Sequence, residues 1–184
     1  MYKEHPTIGC CGIDCGLCPR YQSKSPSACP GCGGAEFEMK HPSCGFLTCC
    51  FSKNNLEVCS LCKQYPCNRF SRESDGYDSF VTHRKIFQNH DLIREHGIEN
   101  FISKQSEKMS VLSAFLINYD DGRSMSFFCL ACALLPVEKL LEVKLLMEAQ
   151  GASLTVKEKN VILKEKLQKI AIDNNIILKL NNKR

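Results

Sequence analysis

Twelve of the fourteen cysteines in this chain of 184 residues fall within residues 10–67, and their thiols are the groups best suited to chemistry. Cysteine thiolates bind zinc ions and iron–sulfur clusters, and they also act as nucleophiles. The stretch CCGIDCGLCPRY sets Cys11, Cys15 and Cys18 at a C-x3-C-x2-C spacing. Because three thiolates this close can hold most of a [4Fe–4S] cluster, the motif points to catalysis, electron transfer or a structural metal.

The same C-x3-C-x2-C spacing is used by radical S-adenosylmethionine enzymes, but the rest of the chain argues against such an enzyme. More cysteines follow the motif in place of the strand–helix units of a large barrel, and no glycine-rich stretch follows to bind the cofactor. The compact ferredoxin run C-x2-C-x2-C-x3-C-P is absent, although Cys-Pro pairs begin at Cys18 and Cys29. A [4Fe–4S] site for electron transfer or redox sensing therefore stays open as an alternative to zinc.

Zinc is the metal that the later cysteines favour, because they recur as C-x2-C pairs, the commonest zinc half-site. In the CPGC pair, Pro30 presets a tight turn and Gly31 tolerates the positive φ that closes it. Two four-thiolate zinc sites fit the count, and interleaved pairing fits it equally well. One grouping takes Cys15, Cys18, Cys29 and Cys32 for the first ion and Cys44, Cys49 or Cys50, Cys59 and Cys62 for the second. We therefore expect the cysteines of the first motif to be divided between metal sites.

The remaining cysteines have structural explanations. Cys10 and one of the adjacent Cys49 and Cys50 are predicted to be spare, because neighbouring side chains rarely share one ion. Cys129 and Cys132 form another C-x2-C pair, but inside an apolar helix, where cysteine behaves as a small hydrophobe. We predict that these two belong to the core. Disulfides are not expected, because the N-terminal sequence shows no export signal.

Residues other than cysteine do not make a catalytic site. His41 could supply a metal ligand in place of a cysteine, whereas His83 and His90, seven apart on a predicted helix, are expected to be exposed. Asp120 and Asp121 precede a glycine, which predicts a turn. The chain contains no nucleophile elbow, phosphate-binding loop, H-E-x-x-H motif or dinucleotide fingerprint. The sequence therefore predicts a metal-binding protein rather than an enzyme, with a metal-dependent enzyme of unknown reaction as a further alternative.

The elements that position the cysteines change character near residues 71–79. Residues 1–75 are rich in Cys, Gly and Pro and lack the apolar surface to order themselves, so we predict a small loop-rich, metal-stabilised module. Residues 76–184 show helical periodicity and predict a domain of about five helices, which makes the fold class mainly α. The predicted helices cover Phe80–His96, Ile98–Tyr119, a short apolar helix opened by Ser124 or Ser126, Val137–Ala149 with a stop at Gly151, and a last helix from the Thr155 and Glu158 capping box to about Asp173. The closing IILKL predicts a short strand or an extended tail.

The charge distribution bears on partners and location. The net charge is +4, and residues 153–184 carry eight Lys and Arg against three Asp and Glu. This segment could contact nucleic acid, although a solvated helix face is the simpler interpretation, and a protein partner is the main expectation. No apolar run approaches the ~18 residues that a membrane span needs. We therefore predict a cytoplasmic protein that does not associate with membranes.

Several of these motifs together resemble the domain of unknown function 3795 family, a group of small cysteine-rich proteins. The resemblance is carried by CGIDCGLCPRY, CPGC, the pair of Cys44 with Cys49 or Cys50, and CSLCKQYPC, while DGRSMSFFCLACALLP and IILKL look like the helical continuation of longer members. It implies zinc binding through thiolates and no assigned activity. The ligands it implies are Cys11, Cys15, Cys18, Cys29, Cys32, Cys44, Cys49 or Cys50, Cys59, Cys62 and Cys67. Ten cysteines fit two zinc ions with two thiols left over, so the expected function is structural zinc binding in an interaction or regulatory module.

Overall fold

The computed structural model describes residues 2–71, 76–149 and 154–181, and within these ranges the chain is mainly helical, as predicted. Three very short helices lie among the cysteines: α1 (Pro19–Gln22), α2 (Phe37–Lys40) and α3 (Gly45–Leu47). Five longer helices follow: α4 (Ile86–His96), α5 (Ile98–Asn118), α6 (Met125–Leu134), α7 (Val137–Ala149) and α8 (Val156–Asp173). The described residues form no β-strand and contain only an isolated bridge between Ile8 and Asp14. None of the helices in these ranges is long and apolar enough to cross a membrane.

The chain divides into two compact units, and the division falls inside α5. The first unit is Met1–Ser103 with Leu180–Arg184, and the second is Lys104–Lys179. Every cysteine assigned to metal from the sequence lies in the first unit. The predicted domain boundary at residues 75 and 76 touches residues outside the described ranges.

α6 lies at the centre of the second unit, where every residue over Phe128–Leu134 is buried. Its side chains are apolar on nearly every face, so the helix is stabilised more by burial in the middle of a helical bundle than by a position at the surface. Cys129 and Cys132 are 1% and 0% exposed, which confirms that they are core residues. Leu112 and Phe115, from the apolar stripe of α5, are completely buried in the same unit.

α8 begins with the predicted capping box. The Thr155 hydroxyl accepts the Glu158 N–H at 3.3 Å, and the Glu158 carboxylate accepts the Thr155 N–H at 2.8 Å. Both bonds satisfy donors that have no partner within the helix. The predicted stop of α7 at Gly151 lies outside the described residues. The segment after α8 is irregular, so the described IILKL residues form no strand.

The helix predicted over Phe80–His96 is wrong at its N-terminal end, because α4 begins only at Ile86. The Asp78 carboxylate accepts hydrogen bonds from the Thr82 hydroxyl at 3.1 Å and from the His83 N–H at 2.8 Å. Side chains that bond to the nearby backbone in this way compete with the helix for its donors. Residues 79–85 therefore precede the helix as an irregular segment, although their apolar positions fit a helical period.

His90 corrects a second expectation, since it is completely buried rather than exposed. Its ring centroid lies 4.7 Å from that of Tyr65 and 5.7 Å from that of Phe70. Burial lowers the pKa of His90 to about 4, so the imidazole is neutral at physiological pH. His83 precedes α4 and is half-buried, and the two histidines do not share a helix face.

Two small clusters of buried side chains order the first unit. One joins Ile8 and Val58 of the loops to Ile93 of α4 and Phe101 of α5. The other consists largely of cysteine side chains. The thiols are therefore part of the core of this unit, which has little other apolar material to bury.

Candidate metal centre

The loop that carries the C-x3-C-x2-C motif folds back on itself. The Gly9 N–H donates to the Ile13 carbonyl at 2.7 Å, and a 3-10 turn follows over Cys15–Leu17. The turn closes with a hydrogen bond of 3.1 Å from the Cys18 N–H to the Cys15 carbonyl. With this backbone, all three cysteines of the motif line the same cavity.

The cavity has a volume of about 200 Å³ and lies within the first unit. The cysteines that line it are Cys11, Cys15, Cys18, Cys29, Cys32 and Cys44. Phe37, His41, Phe80 and His83 are part of the remaining wall. We expected the three motif cysteines to be divided between metal sites, whereas the structure brings them to one cavity with both cysteines of the CPGC turn.

That CPGC turn has the backbone conformation predicted for it. Gly31 has a φ of +86°, and a Cβ added there would lie 2.4 Å from the Pro6 carbonyl oxygen. The next N–H in the turn, that of Cys32, donates to the same Pro6 oxygen at 2.8 Å. Only glycine allows the turn to approach the N-terminal segment this closely. The contact fixes Cys32 against the first loop.

A second group of thiols forms a row of neighbouring side chains in the buried cysteine cluster. This thiol row runs in the order Cys32, Cys10, Cys50 and Cys59. Cys10 is completely buried, and its N–H donates to Cys32 Sγ at 3.4 Å. The Cys50 thiol also donates to the Leu56 carbonyl at 3.2 Å. Since Cys32 lines the cavity as well, the row begins at the cavity wall.

The adjacent Cys10 and Cys11 belong to different groups of thiols. Cys10 belongs to the thiol row, and Cys11 lines the cavity. Adjacent side chains leave the backbone in different directions, so a Cys-Cys pair can supply two neighbouring sites. Cys10, predicted to be spare, therefore belongs with the other thiols, and the alternation of adjacent side chains is the sequence signal for it.

A π-helical turn over Thr48–Lys53 follows α3 and distinguishes between the adjacent Cys49 and Cys50. Cys50 is 4% exposed and belongs to the thiol row. Cys49 is half-buried, and its carbonyl accepts a hydrogen bond of 2.6 Å from the Asn54 side chain. The structure therefore brings Cys50, and not Cys49, to the other thiols.

Cys62 and Cys67 are half-buried and belong to neither the cavity wall nor the thiol row. A 3-10 turn over Cys59–Leu61 ends with a hydrogen bond of 2.9 Å from the Cys62 N–H to the Cys59 carbonyl. This repeats the backbone of the first motif. All fourteen cysteines lie in the described ranges, and all are thiols rather than disulfides.

The pKa values of Cys10, Cys15, Cys18 and Cys50 are raised, which favours the protonated thiol. Burial, and after it the charge on neighbouring thiols, raises the pKa of Cys15 well above its usual range, and burial also raises the pKa of Cys18. In Cys10 and Cys50 the largest effect, a hydrogen bond with one neighbouring thiol, lowers the pKa. A second thiol hydrogen bond and burial outweigh it and raise the pKa of each to about 12. A bound metal cation would reverse this balance, because it favours the thiolate.

The distances between cysteine sulfurs indicate which kind of metal centre the first unit could hold. Among the described residues, the ligand atoms of Glu4, His5 and Glu99 form the only group of three within 4.8 Å of one another. Both carboxylates are exposed, and His5 Nε2 lies 3.0 Å from Glu99 Oε1. No three cysteine sulfurs of the described chain come that close.

The sequence matches no protein-family model and no curated protein, and the structure matches no solved structure. The resemblance to the domain of unknown function 3795 family therefore stays a prediction. What this chain does has to be argued from the arrangement of its own cysteines.

Proposed function

We propose that the first unit holds a [4Fe–4S] cluster in its cysteine-lined cavity and serves electron transfer or redox sensing. The observation that carries this proposal is that six cysteines line one cavity of about 200 Å³. This volume is more than tenfold the ~10–15 Å³ that one water-sized sphere occupies. The cavity therefore suits a group of several atoms better than a single ion.

The separation of the sulfurs supports the same choice. Zinc–sulfur bonds of about 2.3 Å in a tetrahedron put the thiolates about 3.8 Å apart. Within the described ranges no three cysteine sulfurs lie within 4.8 Å of one another. In a cluster each thiolate binds a different iron, so the sulfurs stay farther apart than they do around one ion.

The three motif cysteines would supply three of the four thiolates that a [4Fe–4S] cluster requires. Cys29 and Cys44 are the candidates for the fourth, because Cys32 is engaged in the thiol row. The bound cluster would supply a one-electron redox couple. The chain would hold the thiolates, and the Phe37 and Phe80 rings in the cavity wall would limit the access of water.

A structural zinc ion is the second candidate, and the thiol row favours it. Its four members belong to one cluster of packed side chains, so their thiols are already near one another, as the thiolates of one zinc ion must be. Closing the row around an ion would tie the π-helical turn to the Cys59 turn. This zinc would have the structural role that the sequence predicts, with one ion in place of two.

The predicted protein partner would be the electron donor or acceptor of the cluster. Nucleic-acid binding through residues 153–184 stays a prediction, and residues 153 and 182–184 of that segment lie outside the described ranges. The lysines on which this prediction of nucleic-acid binding rests lie in α8 and in the sequence after α8.

Replacing Cys15 tests the cluster directly. We expect Cys15→Ala, purified without oxygen, to lose its iron, its acid-labile sulfide and its visible absorption, because the change removes a central thiolate of the motif. Cys132→Ala is the matched control, since it removes a completely buried cysteine from the second unit. It should keep the iron and sulfide of the unmodified protein. Equal iron in the two variants would contradict the proposal.

A further inference from the structure

Lys3 is a buried cation beside the thiols, and no sequence pattern singles it out. Its side chain has 0% exposed surface. Lysine is almost never fully buried unless it is paired, because an ammonium group loses much of its hydration free energy on burial. The Lys3 ammonium group therefore needs polar or anionic neighbours.

Backbone contacts hold the Lys3 side chain against the cysteine loops. Its Nζ donates to the Ile8 carbonyl at 2.6 Å, two residues before Cys10. The Lys3 N–H donates to the Gly33 carbonyl at 3.0 Å, next to Cys32. A Cβ added at Gly33 would lie 2.8 Å from Lys3 Cγ, so the aliphatic stem rests directly on this glycine. The ammonium group thus lies against the segment that leads to Cys10, and the backbone and stem of Lys3 lie against the segment that follows Cys32.

The carboxylate nearest to Lys3 neutralises it only in part. Glu57 Oε2 lies 3.9 Å from Lys3 Nζ, and the Glu57 side chain is 21% exposed to water. The same carboxylate accepts hydrogen bonds from the Glu4 N–H at 2.9 Å and the His5 N–H at 3.2 Å. Because two backbone N–H groups and water also interact with the Glu57 carboxylate, this carboxylate compensates only part of the Lys3 charge. A second anionic group near Lys3 would compensate the rest.

The cysteine-lined cavity is the place for that neighbour, because Gly9 and Cys32 in its wall adjoin the two residues whose carbonyls Lys3 binds. The neighbouring thiols and burial dominate the pKa values of Cys10, Cys15, Cys32 and Cys50, and in each of them the Lys3 charge lowers the pKa. Two of the four line the cavity, so the Lys3 charge acts on the cavity as well as on the thiol row.

We infer that Lys3 compensates the negative charge of the thiolate-bound cluster and thereby raises its reduction potential. This inference rests on the proposed function. Four thiolates give the centre a net negative charge, and reduction adds one more. A buried cation therefore stabilises the reduced state more than the oxidised state, and the effect is strong because little water screens it.

Redox titrations of four variants test this role. Lys3→Met removes the charge, Lys3→Gln removes it but keeps a donor for the Ile8 carbonyl, and Lys3→Arg keeps it. Lys24→Met is the matched control, since it makes the same change of charge at an exposed position of the first unit. Each protein is prepared without oxygen, its iron and sulfide are measured, and its midpoint potential is read from the visible absorption.

We expect every variant to keep the iron content of the unmodified protein, because Lys3 is not a ligand. The midpoint potential should shift to lower values in Lys3→Met and Lys3→Gln and stay close to the original in Lys3→Arg and Lys24→Met. If Lys3→Met does not fold, Lys3→Gln decides the result.

Two outcomes would count against the inference, and they are distinguishable. A loaded protein whose potential is the same with and without the Lys3 charge would overturn the role of Lys3 alone. An unmodified protein without iron and sulfide would contradict the proposed function and would overturn the inference with it.

Discussion

Two buried polar side chains of the first unit, His90 and Lys3, lie next to the cysteine loops. An added Cβ at Gly12 would lie 2.9 Å from His90 Nε2, so the imidazole packs directly on the loop between two cysteines. Both ring nitrogens of His90 are shielded from water. Charging this ring would therefore be costly, which is the physical cause of its low pKa.

Substituting His90 by phenylalanine should remove part of the pH dependence of stability. Burial lowers the pKa of His90 to about 4, whereas an unfolded histidine titrates near about 6.5. Between these values the unfolded chain binds the extra proton. The contribution of this group to the free energy of unfolding should therefore fall by about 2 kcal/mol from about pH 7.5 to about pH 5.

Urea unfolding of the unmodified protein and of His90→Phe at both pH values measures this effect. Acid also weakens metal binding to thiolates, but it does so in both proteins, so the difference between them isolates the imidazole. Identical pH dependence in the two proteins would show that His90 is not held neutral by burial.

At the level of structural elements, Gly12 is the point where the motif loop packs against α4. It has a φ of +89°, and a Cβ added there would lie 2.7 Å from the Ile86 carbonyl oxygen. In addition, the Asn89 side chain donates to the Gly12 carbonyl at 2.9 Å. The loop and the helix therefore meet backbone to backbone, which leaves no room for a side chain.

Gly12→Ala should destabilise the first unit more than Gly76→Ala. Gly76 also has a positive φ, +70°, but a Cβ there would meet no atom within 4 Å. Both changes strain the backbone by about 1–2 kcal/mol, and only Gly12→Ala adds overpacking of about 1–3 kcal/mol. Hydrogen exchange of α4 amides in the two variants measures the difference. Equal protection would mean that the loop does not pack on α4 as described.

The longer helices were largely predictable from the sequence, whereas the arrangement of the cysteines was not. The period of apolar residues in α5 and the capping box of α8 are local signals, and both elements form where they were predicted. The start of α4 was missed because the Asp78 side chain binds the backbone that would otherwise open the helix. The grouping of Cys10 with Cys32 and Cys50 depends on contacts between distant loops, on which sequence spacing carries little information.

The two units of the whole molecule differ in what stabilises them. The second unit has a helical core built around α6, with Phe128 and Leu135 completely buried. The first unit relies on a small apolar cluster and on thiols whose pKa values burial raises. A folded state that buries so many ionisable thiols gains stability when a metal binds them.

Removing the metal should therefore unfold much of the first unit and spare the second. We expect amides over residues 2–71 to lose protection from hydrogen exchange when the metal is stripped by a chelator under reducing conditions. Amides of α6 should remain protected, because their core contains no metal ligand. Full protection of residues 2–71 in metal-free protein would show that the loops fold without a metal.

The central claim is that the cavity binds a cluster, and the most direct test is the content of iron and acid-labile sulfide in protein prepared without oxygen. The account predicts iron and sulfide in equal amounts, with a visible absorption band that bleaches on reduction. A structural zinc ion in the thiol row would add zinc without changing either result. Colourless protein that contains zinc but neither iron nor sulfide would contradict the claim.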